Sequence, residues 1–512
     1  MTTSNSTNRH NATAPGGQLS RRDALKLFGL GAASMLLGAR SGFAEQEATR
    51  PNIILIFTDD QGYTDLAIHG ACPDVRTPNL DQLARDGVLF TNGYVTAPQC
   101  VPSRAGLISG RHQNAFGVDD NHGGPLPHSE YTIAERLRDA GYVTGMVGKW
   151  HLDLNVQPGQ NEQLPDYFPH RHGFEEYFYG PMSRYHASHD LDGNPLDNAP
   201  QVVNVPYYRI DAQTRAALSF LERRVEDDRP FFLYLAYFAP HSPMEDPPQY
   251  MERLAHVEEY ERRMGLASVL AMDDGLGMIR EQLETMGVTE KTIIFYISDN
   301  GAPEREGAYI GSRNDPMVGE KGMQTDGGQR VPFIAAWPGR IPAGQVFEEN
   351  VWQLDASATT VALAEAPMDD RIEGVNLIPW LTGEQEGPVH DALYWRWRSQ
   401  AAILSGHWKF VRLGNERKYL FDMREVGQET AAHNKIDEYP EIAEELEAKL
   451  RAKADTWQTP GLPEEVVAAD RYFFDQHVDQ TLDPLPYGEG RVGRYIPWDE
   501  SRPTTFPGSN DS

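Results

Sequence analysis

The chain has 512 residues, 40% of them hydrophobic and 24% charged, with a formal net charge of −29. This is the composition of a folded globular protein, and its acidity excludes the basic footprint of a nucleic-acid binder. Any anionic substrate must be captured by a local cationic pocket, against a repulsive long-range field.

The polar stretch from Met1 to Ser20 precedes Ser20-Arg21-Arg22-Asp23-Ala24-Leu25-Lys26, an apolar run from Leu27 to Ala39, then Arg40 and Gly42-Phe43-Ala44. Residues 1–44 resemble a twin-arginine export signal, with Ala24 where Phe is common. A tethering amphipathic helix is the competing reading. No stretch is long and apolar enough to span a membrane, so no stable membrane anchor is expected. The predicted location is periplasmic or secreted, with the twin-arginine export machinery as partner. Such export carries folded proteins, so the fold should not need disulfides. The two cysteines, Cys72 and Cys100, accord with that, and Cys72 reads as a structural thiol in a loop.

Pro51-Asn52-Ile53-Ile54-Leu55-Ile56-Phe57 predicts a buried parallel strand ending in Asp59 and Asp60. Thr77 to Gly87 predicts a short helix with Thr77 as cap, Pro78 at the first position and Gly87 at the end. Cys100-Val101-Pro102-Ser103-Arg104 reads as a tightly specified loop. A helix over Tyr131–Ala140 stops at Gly141, and a short strand leads to Lys149-Trp150-His151. Phe231–Ala236 predicts a strand ending near His241. A long helical region is predicted over Tyr250–Met286. Thr292–Ile297 predicts a third strand ending in Asp299-Asn300-Gly301.

Apolar strands that end in polar residues and alternate with helices predict an α/β fold. Its doubly wound, mostly parallel sheet is flanked by helices, with the site at one sheet edge. Alternating aromatic and basic residues at 394–398 and 408–410 predict a small antiparallel sheet, with a helix from Pro440 to Trp457 packed on it. The expected division is a catalytic domain at 45–385, a sheet-and-helix subdomain at 386–470 and an extended tail at 471–512.

Asp59, Asp60, Asp299 and Asn300 are oxygen donors at two strand ends, a set suited to Ca²⁺ or Mg²⁺ rather than Zn²⁺. Each one alone reads more often as a turn or a helix cap, and only the set together favours a metal. Arg184, His186 and His189 lie in a loop-like stretch and are candidate sugar contacts. Trp395 and Trp397 read as core packing or a sugar platform, and Arg330 as structural.

In order along the chain, 51–62, 77–87, 100–111, 148–151, 239–241, 298–301 and 321–332 resemble the type I sulfatases of the alkaline phosphatase superfamily. Weaker matches are Trp408-Lys409 and Leu420-Phe421-Asp422. Asp326 stands where Glu is common in that family. The resemblance implies an alkaline phosphatase-like fold and a metal, Ca²⁺ ahead of Mg²⁺, held by Asp59, Asp60, Asp299 and Asn300. It implies that a formylglycine-generating enzyme converts Cys100 to formylglycine, in the cytoplasm before export. The hydrate of that aldehyde, beside Arg104, would attack the sulfur of a sulfated small molecule or carbohydrate. A covalent sulfo-enzyme would follow. His151 would take the proton that lets it collapse. Lys149 and Lys321 would hold sulfate oxygens, and His241 would face the leaving oxygen. Two other readings stay open: a phosphonate or phosphate monoester hydrolase of the same superfamily, and an unmatured, non-catalytic sulfoglycan-binding protein.

Overall fold

The computed structural model describes residues 50–157, 160–180, 182–225, 227–482 and 493–505. The signal-like stretch at 1–44 lies outside them. In chain order the strands are β1 (Asn52–Thr58), β2 (Val88–Phe90), β3 (Gly93–Tyr94), β4 (Val143–Gly148), β5 (Leu154–Gln157), β6 (Gln160–Gln163), β7 (Glu176–Tyr179), β8 (Arg184–Ala187), β9 (Gln201–Asn204), β10 (Phe231–Ala236), β11 (Thr292–Ser298), β12 (Phe333–Ala336), β13 (Gln345–Phe347), β14 (Val351–Trp352), β15 (Leu393–Trp397), β16 (Gln400–Ser405), β17 (Trp408–Leu413) and β18 (Arg417–Asp422).

Ten of them form one sheet in the order β13-β2-β12-β11-β1-β10-β4-β7-β8-β9. Its centre, β11-β1-β10-β4-β7, is parallel, and antiparallel pairings extend it on both sides. The side chains of β1 alternate. Ile53, Leu55 and Phe57 join a core that includes Ala105 and Ile108 of the helix Cys100–Ser109 and Ala356 and Val361 of the helix Gln353–Leu363. Ile54 and Ile56 join the opposite core, with Leu80 of the helix Pro78–Arg85 and Leu276 of the helix Tyr260–Thr285. Helices therefore cover both faces, which is why β1 is apolar throughout.

Strands β15 to β18 form an antiparallel sheet in sequence order. One face packs on Tyr94, Met323 and Trp352, the other on the helix Pro440–Ala454. Trp395 belongs to that core and its Nε1 donates to Val95 O at 2.7 Å. Trp397 is equally buried, so the sugar-platform reading falls: neither ring offers a face to solvent.

Several expectations need correction. Cys100 is not in a loop; it is the first residue of the helix Cys100–Ser109. Pro102 is tolerated there because the first turn has no N–H partner to lose. The long helix predicted at 250–286 is two, Pro248–Met251 and Tyr260–Thr285. The break was hidden because Leu254 and Val257, three apart, stay buried in the turn between them. Arg263 satisfies that turn by donating to Val257 O.

Thr77 precedes its helix but does not cap it. Its Oγ1 accepts from Ala67 N, while the carboxylate of Asp273 takes the amides of Asn79 and Leu80. Gly87 is needed for space rather than for a left-handed cap: a Cβ would lie 2.2 Å from Ala335 O. Arg184 and His186 lie in strand β8, not in a loop. The segment after 471, expected to be extended, begins as the end of the helix Ala468–Phe473 and a π-helical turn, Phe474–Val478.

Candidate active site

The site forms where β1 and β11 end. Their register pairs Thr58 with Ser298, so Asp59-Asp60 and Asp299-Asn300 emerge side by side. Asp60 takes a left-handed backbone (φ 67°), and its N–H donates to Asp299 Oδ1 at 3.0 Å. Asn300 Nδ2 donates to Asp60 Oδ1 at 2.6 Å. Asn300 Oδ1 is buried without a hydrogen-bond partner.

The helix Cys100–Ser109 points its first residue at this edge. Cys100 Sγ lies 3.4 Å from Asp59 Oδ1 and 3.6 Å from Asp60 Oδ1. One turn later, on the same face, Arg104 reaches Asp299 Oδ2 at 2.7 Å and Asp59 Oδ1 at 3.4 Å, fully buried. It also donates to Lys149 O at 3.1 Å. Burial, the largest influence, and the Asp299 carboxylate push the Cys100 thiol well up. A thiol so placed is a poor nucleophile as it stands.

Lys149 follows β4, where Gly148 has φ 100° and lies so close to β10 that a Cβ would be 1.9 Å from Ala236 O. Lys149 Nζ contacts both oxygens of Asp59, at 2.9 and 2.7 Å. Lys321 Nζ lies 2.5 Å from Asp60 Oδ1 and 3.2 Å from Cys100 Sγ. Burial opposes the Lys321 charge, but Asp60 and its neighbours outweigh it and raise the pKa. Asp59 is likewise held well down despite its burial, by Lys149, His241, Arg104 and Lys321.

His241 Nε2 lies 3.6 Å from Asp60 Oδ2. Its Nδ1 lies 2.5 Å from Ser242 O, which assigns the proton to Nδ1 because a carbonyl can only accept. Burial first, with Lys149 and Lys321 helping, pushes it down to about 4. His151 has φ 61° and a buried, unpartnered Nδ1. Burial, then the charges of Lys149 and Arg104, holds its pKa well down. It therefore belongs to the same electrostatic cluster, though no hydrogen bond ties it to the others.

Nine of the ten sequence-predicted site residues thus meet through direct contacts, and His151 follows Lys149 by two residues. Exposure shows where a substrate enters. The side chains of Asp59, Arg104 and Cys100 form a closed floor, whereas Lys149, Lys321 and His241 keep 10%, 8% and 25% of their side-chain surface. The mouth therefore carries the two lysine cations beside a neutral imidazole.

The donors of Asp59, Asp60, Cys100 and His241 lie within 4.8 Å of one another. Of these donors the carboxylates of Asp59 and Asp60, taken with the Asp299 carboxylate and the orphaned Asn300 oxygen, make a hard-oxygen set that fits a divalent cation such as Ca²⁺ or Mg²⁺. Sequence reasoning missed Phe238. Its ring stacks on His241 (5.1 Å) and faces Lys149 (5.0 Å) and Arg209 (4.9 Å). No pattern could have flagged it, because it continues an apolar strand. Arg330, bonded to Thr91 O (2.7 Å) and Asp326 (3.3 Å), is structural.

Residues 51–366 match the family model described as Sulfatase, and residues 319–456 match N-sulphoglucosamine sulphohydrolase, C-terminal. The chain is 34% identical to N-acetylgalactosamine-6-sulfatase of Canis lupus familiaris, covering 70% of this chain and 71% of that protein. It is 32% identical to arylsulfatase A of Homo sapiens, with 71% and 73% covered. Among solved structures, Ps i-CgsB in complex with k-i-k-neocarrahexaose superposes with a TM-score of 0.69 at 28% identity, covering 84% of this chain and 97% of that one.

Proposed function

Because this chain belongs to the sulfatase family of sulfuric ester hydrolases, we propose that it removes sulfate from a sulfated carbohydrate, using formylglycine made from Cys100. The observation that carries this reading is Cys100 itself, set between two carboxylates and Lys321 at the floor of the lysine-lined mouth. The sugar substrate is supported by the relatives, which include an N-acetylgalactosamine-6-sulfatase and a protein bound to a neocarrahexaose.

Asp59, Asp60, Asp299 and Asn300 would hold the cation, Ca²⁺ ahead of Mg²⁺. When bound, it supplies positive charge at the oxygens of the transferring sulfo group. Lys149 and Lys321 anchor the remaining sulfate oxygens, and Arg104 orients the oxygen borne by residue 100. In the first step one hydroxyl of residue 100 gives up its proton and its oxygen forms a bond to sulfur as the bond to the sugar oxygen breaks; the alcohol leaves with one proton, so the step consumes and releases one proton each. His241 donates toward that leaving oxygen, and an anionic ester beside its imidazole favours the protonated form. In the second step His151, held neutral, takes the proton from the remaining hydroxyl of residue 100. The carbonyl reforms, sulfate departs, and water restores the hydrate. We further propose that residues 1–44 direct twin-arginine export, so maturation of Cys100 precedes it.

The test is sulfate release from N-acetylgalactosamine 6-sulfate and from carrageenan oligosaccharides. Wild type and Cys100→Ala are both produced with a formylglycine-generating enzyme, and the peptide carrying residue 100 is weighed. Release by wild type alone, with the aldehyde mass, supports the reading. Equal release by both sinks the mechanism, and faster turnover of a phosphonate ester makes the chain a phosphonate hydrolase. An unmodified cysteine in the native host leaves binding only.

A further inference from the structure

Residues 457–512 lie beyond both family matches, yet the described part of this segment reaches the site from two sides. On one side His477 Nε2 lies 3.3 Å from Glu320 Oε1, next to Lys321 in the chain. Phe473 packs against Gly322, and Arg305 lies over the Phe473 ring while donating to Lys321 O at 3.3 Å.

On the other side, residues 493–502 run along the segment that follows His241. Met244 N donates to Arg494 O at 2.7 Å and Ile496 N to Met244 O at 2.8 Å, a short parallel bridge. Tyr495 OH and Trp498 N donate to the Asp246 carboxylate at 2.9 and 2.7 Å. Arg502 donates to the carbonyls of Pro206 and Tyr207 at 3.1 and 2.8 Å, and pairs with Glu245 Oε1 at 2.5 Å. Glu245 is fully buried, and its Oε2 faces Arg209 Nε at 4.0 Å. Arg209 Nη2 in turn donates to the backbone carbonyl of His241 at 2.6 Å.

We propose that this C-terminal segment positions His241 for its work on the leaving oxygen, through the relay Arg502–Glu245–Arg209. The proposal rests on the sulfatase reading. A buried carboxylate left without a partner is strongly destabilising. Arg502 takes one oxygen of Glu245 and leaves the other for Arg209. Without Arg502, the whole Glu245 charge falls on Arg209 and draws the guanidinium from the His241 carbonyl. Arg209 also lies over Phe238, the ring on which His241 stacks, so backbone and imidazole move together. Displacements well under 1 Å matter at a proton-transfer position.

The experiment compares full-length, matured wild type with Arg502→Ala and Arg502→Lys on two substrates. A sugar sulfate has a leaving alcohol that needs a proton, whereas p-nitrophenyl sulfate has one that does not. For Arg502→Ala we expect kcat on the sugar sulfate to fall roughly 10-fold, a fraction of what general-acid catalysis contributes. KM should stay within about twofold, and p-nitrophenyl sulfate turnover should be nearly unchanged. Arg502→Lys should recover most of the loss. A parallel fall on both substrates, or no fall on either, overturns the proposal. Hydrogen exchange of residues 238–246 gives a readout independent of turnover. Faster exchange in Arg502→Ala supports the relay and unchanged exchange overturns it, even if the wild type releases no sulfate and the sulfatase reading itself fails.

Discussion

Lys321 Nζ stands 3.2 Å from Cys100 Sγ and 2.5 Å from Asp60 Oδ1, with 8% of its side-chain surface exposed. It is thus both the neighbour of Cys100 and part of the rim of the cluster. Lys321→Ala should lower kcat/KM for sulfate release by about 10²–10³, the cost of removing one preorganised charge-stabilising group. Steady-state kinetics check this, and a loss below about threefold would remove Lys321 from the reaction.

Asn300 Oδ1, buried and unpartnered, completes the oxygen set around Asp59, Asp60 and Asp299. Dialysis against a chelator should abolish activity. Restoring Ca²⁺ at 100 times its Kd should raise stability by about 2.7 kcal/mol. Thermal unfolding with and without Ca²⁺ measures this. Asn300→Ala and Asp60→Asn should respond much less than wild type.

Gly148 is a conformational requirement of the site. With φ 100° and a Cβ position 1.9 Å from Ala236 O, Gly148→Ala cannot keep the β4–β10 register and the place of Lys149 together. We expect a loss of about 2 kcal/mol or more in urea unfolding, with a fall in activity larger than stability alone explains.

Lys409 on β17 is fully buried between Asp326 (2.8 Å) and Glu429 (2.9 Å), tying the 321–332 segment to the small sheet. The shorter Asp326 still reaches both Lys409 and Arg330, so the departure from Glu leaves this network closed. Lys409→Met removes the cation beside buried Glu429 and one of the two that face Asp326, and should cost about 3–5 kcal/mol, read from the midpoint of chemical unfolding.

His112 gives the fold an acid limit. Its Nε2 lies 3.0 Å from Tyr394 O and its Nδ1 accepts from Asn114 N, so both ring nitrogens are satisfied in the neutral form. Burial pushes its pKa down to about 4. Below about pH 6.5 the unfolded chain binds a proton that the folded chain refuses until about pH 4. Stability is therefore full above pH 6.5 and falls between those values, by up to about 3 kcal/mol at 1.36 kcal/mol per unit. His69, also pushed to about 4 by burial, acts in the same direction. Urea unfolding from pH 7 to 4.5 should show the decline, with a shallower slope in His112→Gln.

Much of the central sheet was legible because β1, β10 and β11 are apolar on both faces, the mark of a parallel strand covered by helices. The acids at their ends stood out against those runs. The start of the Cys100 helix was not legible, because Pro102 and Gly106 lower helix propensity and packing on the helix Gln353–Leu363 overrides it. The broken helix before Tyr260 hid behind apolar residues that stay buried through a turn.

By itself the sequence determined the chemistry available: a cysteine in a family-like motif, oxygen donors at strand ends and a few cations in a strongly acidic chain. These are properties of residue types and short-range pattern. Only the tertiary structure decided that Asn300 meets Asp60 across 240 residues, that Lys149 and Lys321 divide the two aspartates between them, and that Arg502 reaches Glu245 across 257. Such contacts are set by strand register and by the pairing of buried charge, and neither leaves a local trace in the order of residues.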